Sequence, residues 1–278
     1  MGRKLGILAG RGALPRAVMQ TCQSQGRPFF VIAFDGQTEA ELVQQTPHKW
    51  CRLGAANDII TSLKQAEVAD LIMVGAMTRP SLGSLAPDWR ATKILARIGW
   101  RMGDDGLLRS VIKEFENEGF RVIGVSDVIP DLLTVGGTYG KISPSAQALE
   151  DIKKGQAVLR SLSNMDVGQA VVVQHGMVLG IEAAEGTDEL IQRCQTLQRA
   201  GEGAVLVKMR KLGQESRADL PAIGPVTIQN AAKAGFCGIA VEAGGTIILE
   251  CDAARRQADQ SRLFLYGFVA DDQPSPQV

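Results

Sequence analysis

The segment Leu5-Gly6-Ile7-Leu8-Ala9-Gly10-Arg11-Gly12-Ala13-Leu14-Pro15 carries the signature from which the architecture follows. A short apolar run, Leu5 to Ala9, meets the glycine turn Gly10-Arg11-Gly12. A helical pattern then runs from Ala13 to about Gln25, with Pro15 tolerated in the first helical turn. That is strand, loop and helix, and the unit recurs. Phe29 to Phe34 is a continuous apolar run, too short for a helix and closed by Asp35-Gly36. Ala55 to Glu67 spaces its apolar residues as a helix does, and Asp70 to Ala76 is apolar again. Asp104-Asp105 opens a helix whose stripe is Leu107, Leu108, Val111, Ile112 and Phe115; Gly119 ends it, and Phe120 to Val128 supplies a further strand. Such alternation implies right-handed βαβ units on a parallel sheet, an α/β Rossmann-like domain over residues 1–131.

From Pro130 to Pro144 glycines and prolines break every period, so residues 132–144 read as a linker, with a hinge at Gly136 to Gly140. Residues 145–278 read as a second, mixed α/β domain. Its elements are a helix from Ser145 to about Ser163, a tight hairpin of 170–174 and 177–182 about His175-Gly176, and a helix over 186–200. A strand over 204–209 and a helix over 224–234 follow. A second hairpin is expected where 239–242 and 246–250 flank Ala243-Gly244-Gly245, then a last strand at 263–269, and residues after Asp271 should fray.

Composition narrows the chemistry. The 278 residues carry 30 basic and 30 acidic side chains, so the cationic surplus of a counterion-release nucleic-acid binder is missing and nucleic acid is not expected as a partner. Only two histidines exist, His48 and His175, in a loop and at a hairpin tip, which excludes histidine-rich two-metal hydrolytic sites; a metal must be held by oxygen. The five cysteines are odd in number and lack a CxxC pair, which fits reduced packing residues in a cytoplasmic protein. The apolar run after Arg3-Lys4 is broken by Gly6 and Gly10, too short for a signal peptide or membrane span, so membrane contact should be peripheral. The basic, amphipathic stretch from Trp89 to Trp100 could supply such contact, although a core-facing helix accounts for it as well.

Four segments carry polar groups where ligands bind. Gly10, Arg11, Gly12 and Ala13 could cradle a phosphate at a helix N-terminus, although Pro15 stands where a dinucleotide fingerprint has its third glycine. Thr78 and Arg79 follow a parallel strand, where they could hold a phosphate or a sugar hydroxyl; a proline-ended loop with a solvated arginine is the plain alternative. Asp104 and Asp105 are helix caps, or one of them is a metal ligand. The densest segment runs from Lys208 through Arg210, Lys211, Gln214, Glu215, Arg217, Asp219 and Pro221 to Gly224 and Thr227. Its cations could neutralise phosphates and its carboxylates could hold Mg²⁺ or orient a water, the needs of phosphoanhydride cleavage. A solvated charged loop is the plain alternative.

Taken together, these segments resemble the bacterial UDP-2,3-diacylglucosamine pyrophosphatases of lipid A synthesis, in the family unrelated to calcineurin-like metallophosphoesterases. The resemblance runs from Leu5 to about Val269. It rests on Leu5 to Pro15, Arg79-Pro80, Gly103-Asp104-Asp105 with the helix to Glu118-Gly119-Phe120, Gly140-Lys141 to Pro144, Glu185 to Asp188, and Lys211 to Thr227, all in order. It implies a Rossmann-like domain, a C-terminal domain particular to the family, and a site between them. It further implies Mg²⁺-dependent hydrolysis, with Mn²⁺ or Co²⁺ as substitutes, of UDP-2,3-diacylglucosamine to UMP and 2,3-diacylglucosamine 1-phosphate. The family's essential aspartate, in a Gln-acidic-x-Arg-x-Asp-x-Pro pattern, falls on Asp219; Leu212 departs from the proline that often follows the lysine. The resemblance, together with the crowding of charges in that loop and the carboxylates at the helix start, makes Asp219, Lys211 and Arg217 the expected catalytic residues and Asp219, Glu215 and Asp105 the expected metal ligands. Gly10, Arg11, Gly12, Ala13, Thr78, Arg79, Lys141, Lys208, Gln214 and Thr227 contact substrate. A homodimer at the cytoplasmic face of the inner membrane is expected. The rival readings are a Rossmann-type oxidoreductase and a non-catalytic nucleotide- or lipid-binding protein.

Overall fold

The structure, a computed structural model, describes residues 2–78, 85–98, 104–165, 167–211, 213, 217 and 220–270, without the side chains of 94, 95, 97, 98, 104, 105 and 164. The expected frayed tail after Asp271 lies outside them. The chain divides into two units at Pro130/Asp131, and Arg217 groups with the first.

The first unit contains β1 (Leu5–Ala9), α1 (Ala13–Ser24), β2 (Phe29–Phe34), α2 (Ala40–Val43), β3 (His48–Cys51), α3 (Ala56–Gln65), β4 (Asp70–Val74), α4 (Trp89–Ile98), α5 (Asp104–Asn117) and β5 (Arg121–Val122). Its strands form one sheet in the order β3-β2-β1-β4-β5, parallel throughout. Every residue of β1 is buried, because a strand flanked by neighbours on both edges and helices on both faces meets no water. On one face Leu8, Ile32, Leu71 and Met73 pack with Ile59, Ile60 and Leu63 of α3 and Ile112 and Phe115 of α5. The winding reverses between β1 and β4, the switch point at which open α/β sheets bind ligands, beyond the C-terminal ends of the strands. The opposite edge is closed by Asp70, which is buried. Arg27 donates to its Oδ2 at 2.7 Å, Arg121 Nε to its Oδ1 at 3.0 Å, and Arg3 Nε lies 3.2 Å from Oδ1.

The second unit contains β6 (Gly137–Thr138), α6 (Ala146–Leu162), β7 (Ala170–Gln174), β8 (Met177–Ile181), α7 (Thr187–Cys194), β9 (Val205–Lys208), β10 (Ala222–Ile223), α8 (Pro225–Lys233), β11 (Gly238–Glu242), β12 (Ile247–Ile248), α9 (Cys251–Gln260) and β13 (Phe264–Phe268). The main sheet has the order β6-β13-β11-β9-β7-β8, with β9, β11 and β13 parallel and the flanking strands antiparallel. The two-residue period of a strand divides its side chains between two cores. Val171, Val173, Val205 and Val207 meet Ala148, Ile152 and Leu159 of α6. Val172, Leu206, Ile239 and Leu265 meet Leu190, Ile191, Ile228, Ala231, Ala254 and Ala258 of α7, α8 and α9 on the other face.

The α/β class, the parallel first sheet and the mixed second sheet are as the sequence implies; several local expectations are corrected. Residues 239–250 form no hairpin, since β11 pairs parallel with β9 and β13 while β12 pairs parallel with β10 in a separate ribbon. Phe120 to Val128 pairs only at Arg121–Val122; a 3-10 turn, Val125–Asp127, follows, with Asp127 Oδ2 accepting the Gly124 N–H at 2.8 Å. His48 opens edge strand β3 rather than lying in a loop. Residues 132–144, expected as a linker, group with the second unit, where β6 borders β13 and Thr134 Oγ1 donates to the Thr246 carbonyl at 2.8 Å.

Candidate functional site

In the first unit the glycine turn follows β1 at this switch point. The Gly10 N–H donates to the Val74 carbonyl at 2.8 Å, and Arg11 and Ala76 exchange backbone bonds at 2.9 and 3.0 Å, a short antiparallel bridge. The loops after β1 and β4 are thereby laced together. Gly75 permits this: at φ +94° a Cβ would lie 2.7 Å from the Arg11 carbonyl oxygen and 2.8 Å from Gly10 C. Arg11 Nη2 donates to Thr78 Oγ1 at 2.5 Å, and the Gln37 amide brackets the Thr78 backbone, accepting its N–H at 2.8 Å and donating to its carbonyl at 3.3 Å. Gly10, Arg11, Gly12, Ala13 and Thr78 are thus brought together. The N–H groups of Gly10 and Arg11 are spent on the neighbouring loop, so the anion-binding capacity of this edge rests on the first turn of α1, whose N-cap Gly12 supplies no side-chain cap. Arg79 lies outside the described residues.

In the second unit Lys208 ends β9 with its side chain buried. Its Nζ donates to Thr187 Oγ1 at 2.7 Å, and the Thr187 hydroxyl donates to Glu182 Oε1 at 2.6 Å. Glu182 Oε2 accepts the Gln169 N–H at 2.7 Å. An ammonium, a hydroxyl and a carboxylate so form one chain, buried at Lys208 and Glu182 and half-buried at Thr187, which fixes the Lys208 head group beside the N-terminus of α7. One strand away Glu242 ends β11, also buried, and accepts the Arg210 N–H at 3.0 Å. Burial pushes its carboxyl above the usual carboxylate range, against the pull of the Arg210 N–H and guanidinium and of Arg160. Glu182 and Glu242 were not singled out from sequence; a charged residue closing an apolar strand before Gly244-Gly245 is the signal that could have found Glu242.

The other expected positions are dispersed. Thr227 is half-buried in the first turn of α8. Lys141 lies with Tyr139, Arg255, Arg256 and Asp259 in a surface depression of about 470 Å³, its N–H donating to Asp259 Oδ1 at 2.6 Å. Arg217 Nη1 donates to Glu116 Oε1 of α5 at 2.6 Å, and Lys211 is half-buried. Gln214, Glu215 and Asp219 lie outside the described residues, as does the side chain of Asp105, whose backbone is in the first turn of α5. Among the described residues no three of His, Cys, Asp and Glu come together to hold a metal ion.

A family model described as the LpxI N-terminal domain matches residues 4–132, and one described as the LpxI C-terminal domain matches 135–266. The chain belongs to the LpxI family. The LpxI relative from Caulobacter vibrioides, "UDP-2,3-diacylglucosamine pyrophosphatase LpxI", is 38% identical over 281 residues, covering 98% of this chain and 100% of its own. Among solved structures, gox2253 is 13% identical, covering 95% of this chain and 78% of its own at a TM-score of 0.31. The biotin carboxylase domain of a thermophilic 2-oxoglutarate carboxylase is 16% identical at a TM-score of 0.23, covering 62% of this chain and 35% of its own. In the numbering of this LpxI-family chain, both matched domains fall on the two units described above.

Proposed function

We propose that the protein hydrolyses the diphosphate of UDP-2,3-diacylglucosamine to UMP and 2,3-diacylglucosamine 1-phosphate. The observation that carries this reading is the 38% identity, sustained over 98% of this chain, with the Caulobacter protein of that name. Water adds to one phosphorus, the bridging P–O bond breaks, and each product leaves with one phosphate. The site must neutralise the diphosphate and aim a water, and the residues of this chain divide those tasks. The first turn of α1, with Arg11 and Thr78, offers N–H groups and a guanidinium to a phosphate. Lys208, held by Thr187, supplies a positioned cation; Lys211 and Arg217 add charge from the segment that carries Asp219. Gln214, Thr227, Lys141, Arg79 and Ala13 are assigned to substrate contact.

Mg²⁺ is assigned to Asp219, Glu215 and Asp105, oxygen donors that suit a hard cation. When bound it would neutralise phosphate charge. Asp219 orients the attacking water or holds the ion. The diacylated substrate is the ground for proposing peripheral contact of a cytoplasmic protein with the inner-membrane surface; no helix among the described residues is long and apolar enough to cross a membrane. A homodimer completes the proposal. The test is incubation of the full chain with UDP-2,3-diacylglucosamine and Mg²⁺ in ¹⁸O-water. Release of UMP and the lipid 1-phosphate is expected, the label marking the phosphorus attacked, and their absence would refute the assignment.

A further inference from the structure

We infer that the nucleoside half of the substrate is held at the C-terminal ends of β2 and β3, between the indoles of Trp50 and Trp89, with the Asp35 carboxylate accepting from the ribose hydroxyls. The inference rests on the reading above that the substrate is a uridine diphosphate derivative.

A cavity of about 510 Å³ opens there, lined by Asp35, Trp50, Arg52, Asp58, Asp88 and Trp89 among others, a volume of ordinary ligand size. Trp50 is 36% exposed and Trp89 63% exposed even though the Arg90 guanidinium lies over the Trp89 ring, 5.2 Å from its centroid, so both indoles keep area that a flat partner would cover. The position of Trp89 is set by its neighbour. The Asp88 N–H donates to the Gly54 carbonyl at 3.0 Å, and the Asp88 carboxylate accepts the Asn57 N–H at 2.7 Å and the Ala91 N–H at 2.8 Å. The ring therefore stands on a tied loop and pays little ordering cost when it stacks.

The three carboxylates of the cavity differ in their commitments. Asp88 is used as described, and Asp58 holds Lys49 at 2.5 Å. Among the described residues the Asp35 carboxylate and the Arg52 guanidinium have no hydrogen-bond or ion-pair partner, and both are exposed. The backbone at Asp35 is held, because its N–H donates to the Cys51 carbonyl at 3.1 Å and so ties the ends of β2 and β3. Adjacent strands lie about 4.8 Å apart, so Asp35 is one strand from the Gly10 turn and Arg52 one step further. A ribose on Asp35 would bring its 5′-phosphate to the first turn of α1, and a base directed toward β3 would meet the indoles. With Asp58 neutralised by Lys49, Asp35 and Asp88 still outnumber Arg52 in the lining and disfavour an anionic lipid surface as the occupant of the same cavity.

The test is titration of the full chain with UMP, read by tryptophan fluorescence in a Trp100→Phe background that leaves Trp50 and Trp89 as the reporters. Saturable quenching is expected. Asp35→Asn should weaken UMP about tenfold, the loss of a hydrogen bond to a charged group. In turnover the same variant should raise KM for the UDP-lipid with kcat held, the mark of lost uniform binding. Removing the sugar hydroxyl with 2′-deoxy-UMP should weaken the parent protein similarly but leave Asp35→Asn almost indifferent. Unchanged UMP affinity in Asp35→Asn and in Trp50→Ala and Trp89→Ala, with UMP still released from the UDP-lipid, would overturn this subsite while leaving the hydrolytic reading intact. Quenching by anionic vesicles in place of UMP would also overturn it. Absence of turnover in the parent protein would remove the hydrolytic reading itself, and the subsite with it.

Discussion

Thr187→Val removes one oxygen from the chain Glu182, Thr187, Lys208 and keeps the side chain's shape. Two charge-assisted hydrogen bonds are lost, at 2.6 Å to Glu182 and 2.7 Å from Lys208. Each such bond contributes about 1.5–3 kcal/mol. Glu182 retains the Gln169 N–H at 2.7 Å and Lys208 retains a further interaction, so the two losses should sum to the lower end, about 3 kcal/mol. For a unit of this size that lowers Tm by roughly 9 °C. The freed Lys208 head group no longer has a single position, and displacement of a cation by about 1 Å should reduce kcat by tenfold or more. Calorimetric melting and single-turnover release of UMP measure the two effects. Thr187→Ser restores the hydroxyl and should recover both, and a Thr187→Val/Lys208→Met cycle should show coupling above about 1 kcal/mol. A Tm within about 2 °C of the parent, or additive double-variant energies, would refute the claim that this hydroxyl positions Lys208.

Gly75→Ala places a methyl 2.7 Å from the Arg11 carbonyl in a left-handed backbone, so about 3 kcal/mol should be lost along with UMP affinity. Gly12→Ala, at φ +97° with open space around it, should cost only the backbone strain of about 1–2 kcal/mol; urea melts compare the two. Asp70→Ala strips the buried partner from Arg27, Arg121 and Arg3 and should destabilise by about 3 kcal/mol without changing KM, since it lies at the N-terminal end of β4, opposite the strand ends that carry the glycine turn. Glu242 has its pKa raised in the folded protein, so its contribution favours folding most below the unfolded value and declines as pH rises toward the raised one. Glu242→Gln, which keeps an acceptor for the Arg210 N–H, should therefore gain stability relative to the parent as pH rises from about 4.5, read by chemical denaturation across pH.

The first unit was legible because its strands are internal and parallel. Phe29–Phe34 and Leu5–Ala9 are buried on both faces, so apolar runs mark them to the residue. Edge strand β3, His-Lys-Trp-Cys, escaped notice because it is only partly buried and lacks such a run. In the second unit two similar local signals had different outcomes. His175 and Gly176 both take positive φ, at +51° and +75°, and close a true hairpin between β7 and β8. Ala243-Gly244-Gly245 also turns the chain, but the partners of β11 lie 30 residues and more away in sequence as β9, and after a full helix as β13; turn chemistry does not encode those pairings. Helix α9 was missed because only Ala254 and Ala258 are buried on it, a stripe too narrow and too small to register as apolar periodicity. At the site, residue types and their order were legible, whereas the lacing of Gly10 to Val74 and the Thr187 link to Lys208 depend on tertiary contacts between distant segments.

The central claim is tested most directly by comparing the parent chain and Asp219→Ala on UDP-2,3-diacylglucosamine with Mg²⁺, following UMP release and substrate binding together. The parent should release UMP, and the variant should bind the lipid substrate at near-parent affinity yet release UMP at least about a thousandfold more slowly, as loss of the group that aims the water requires. Near-parent turnover by Asp219→Ala, or no UMP from the parent, would contradict the account.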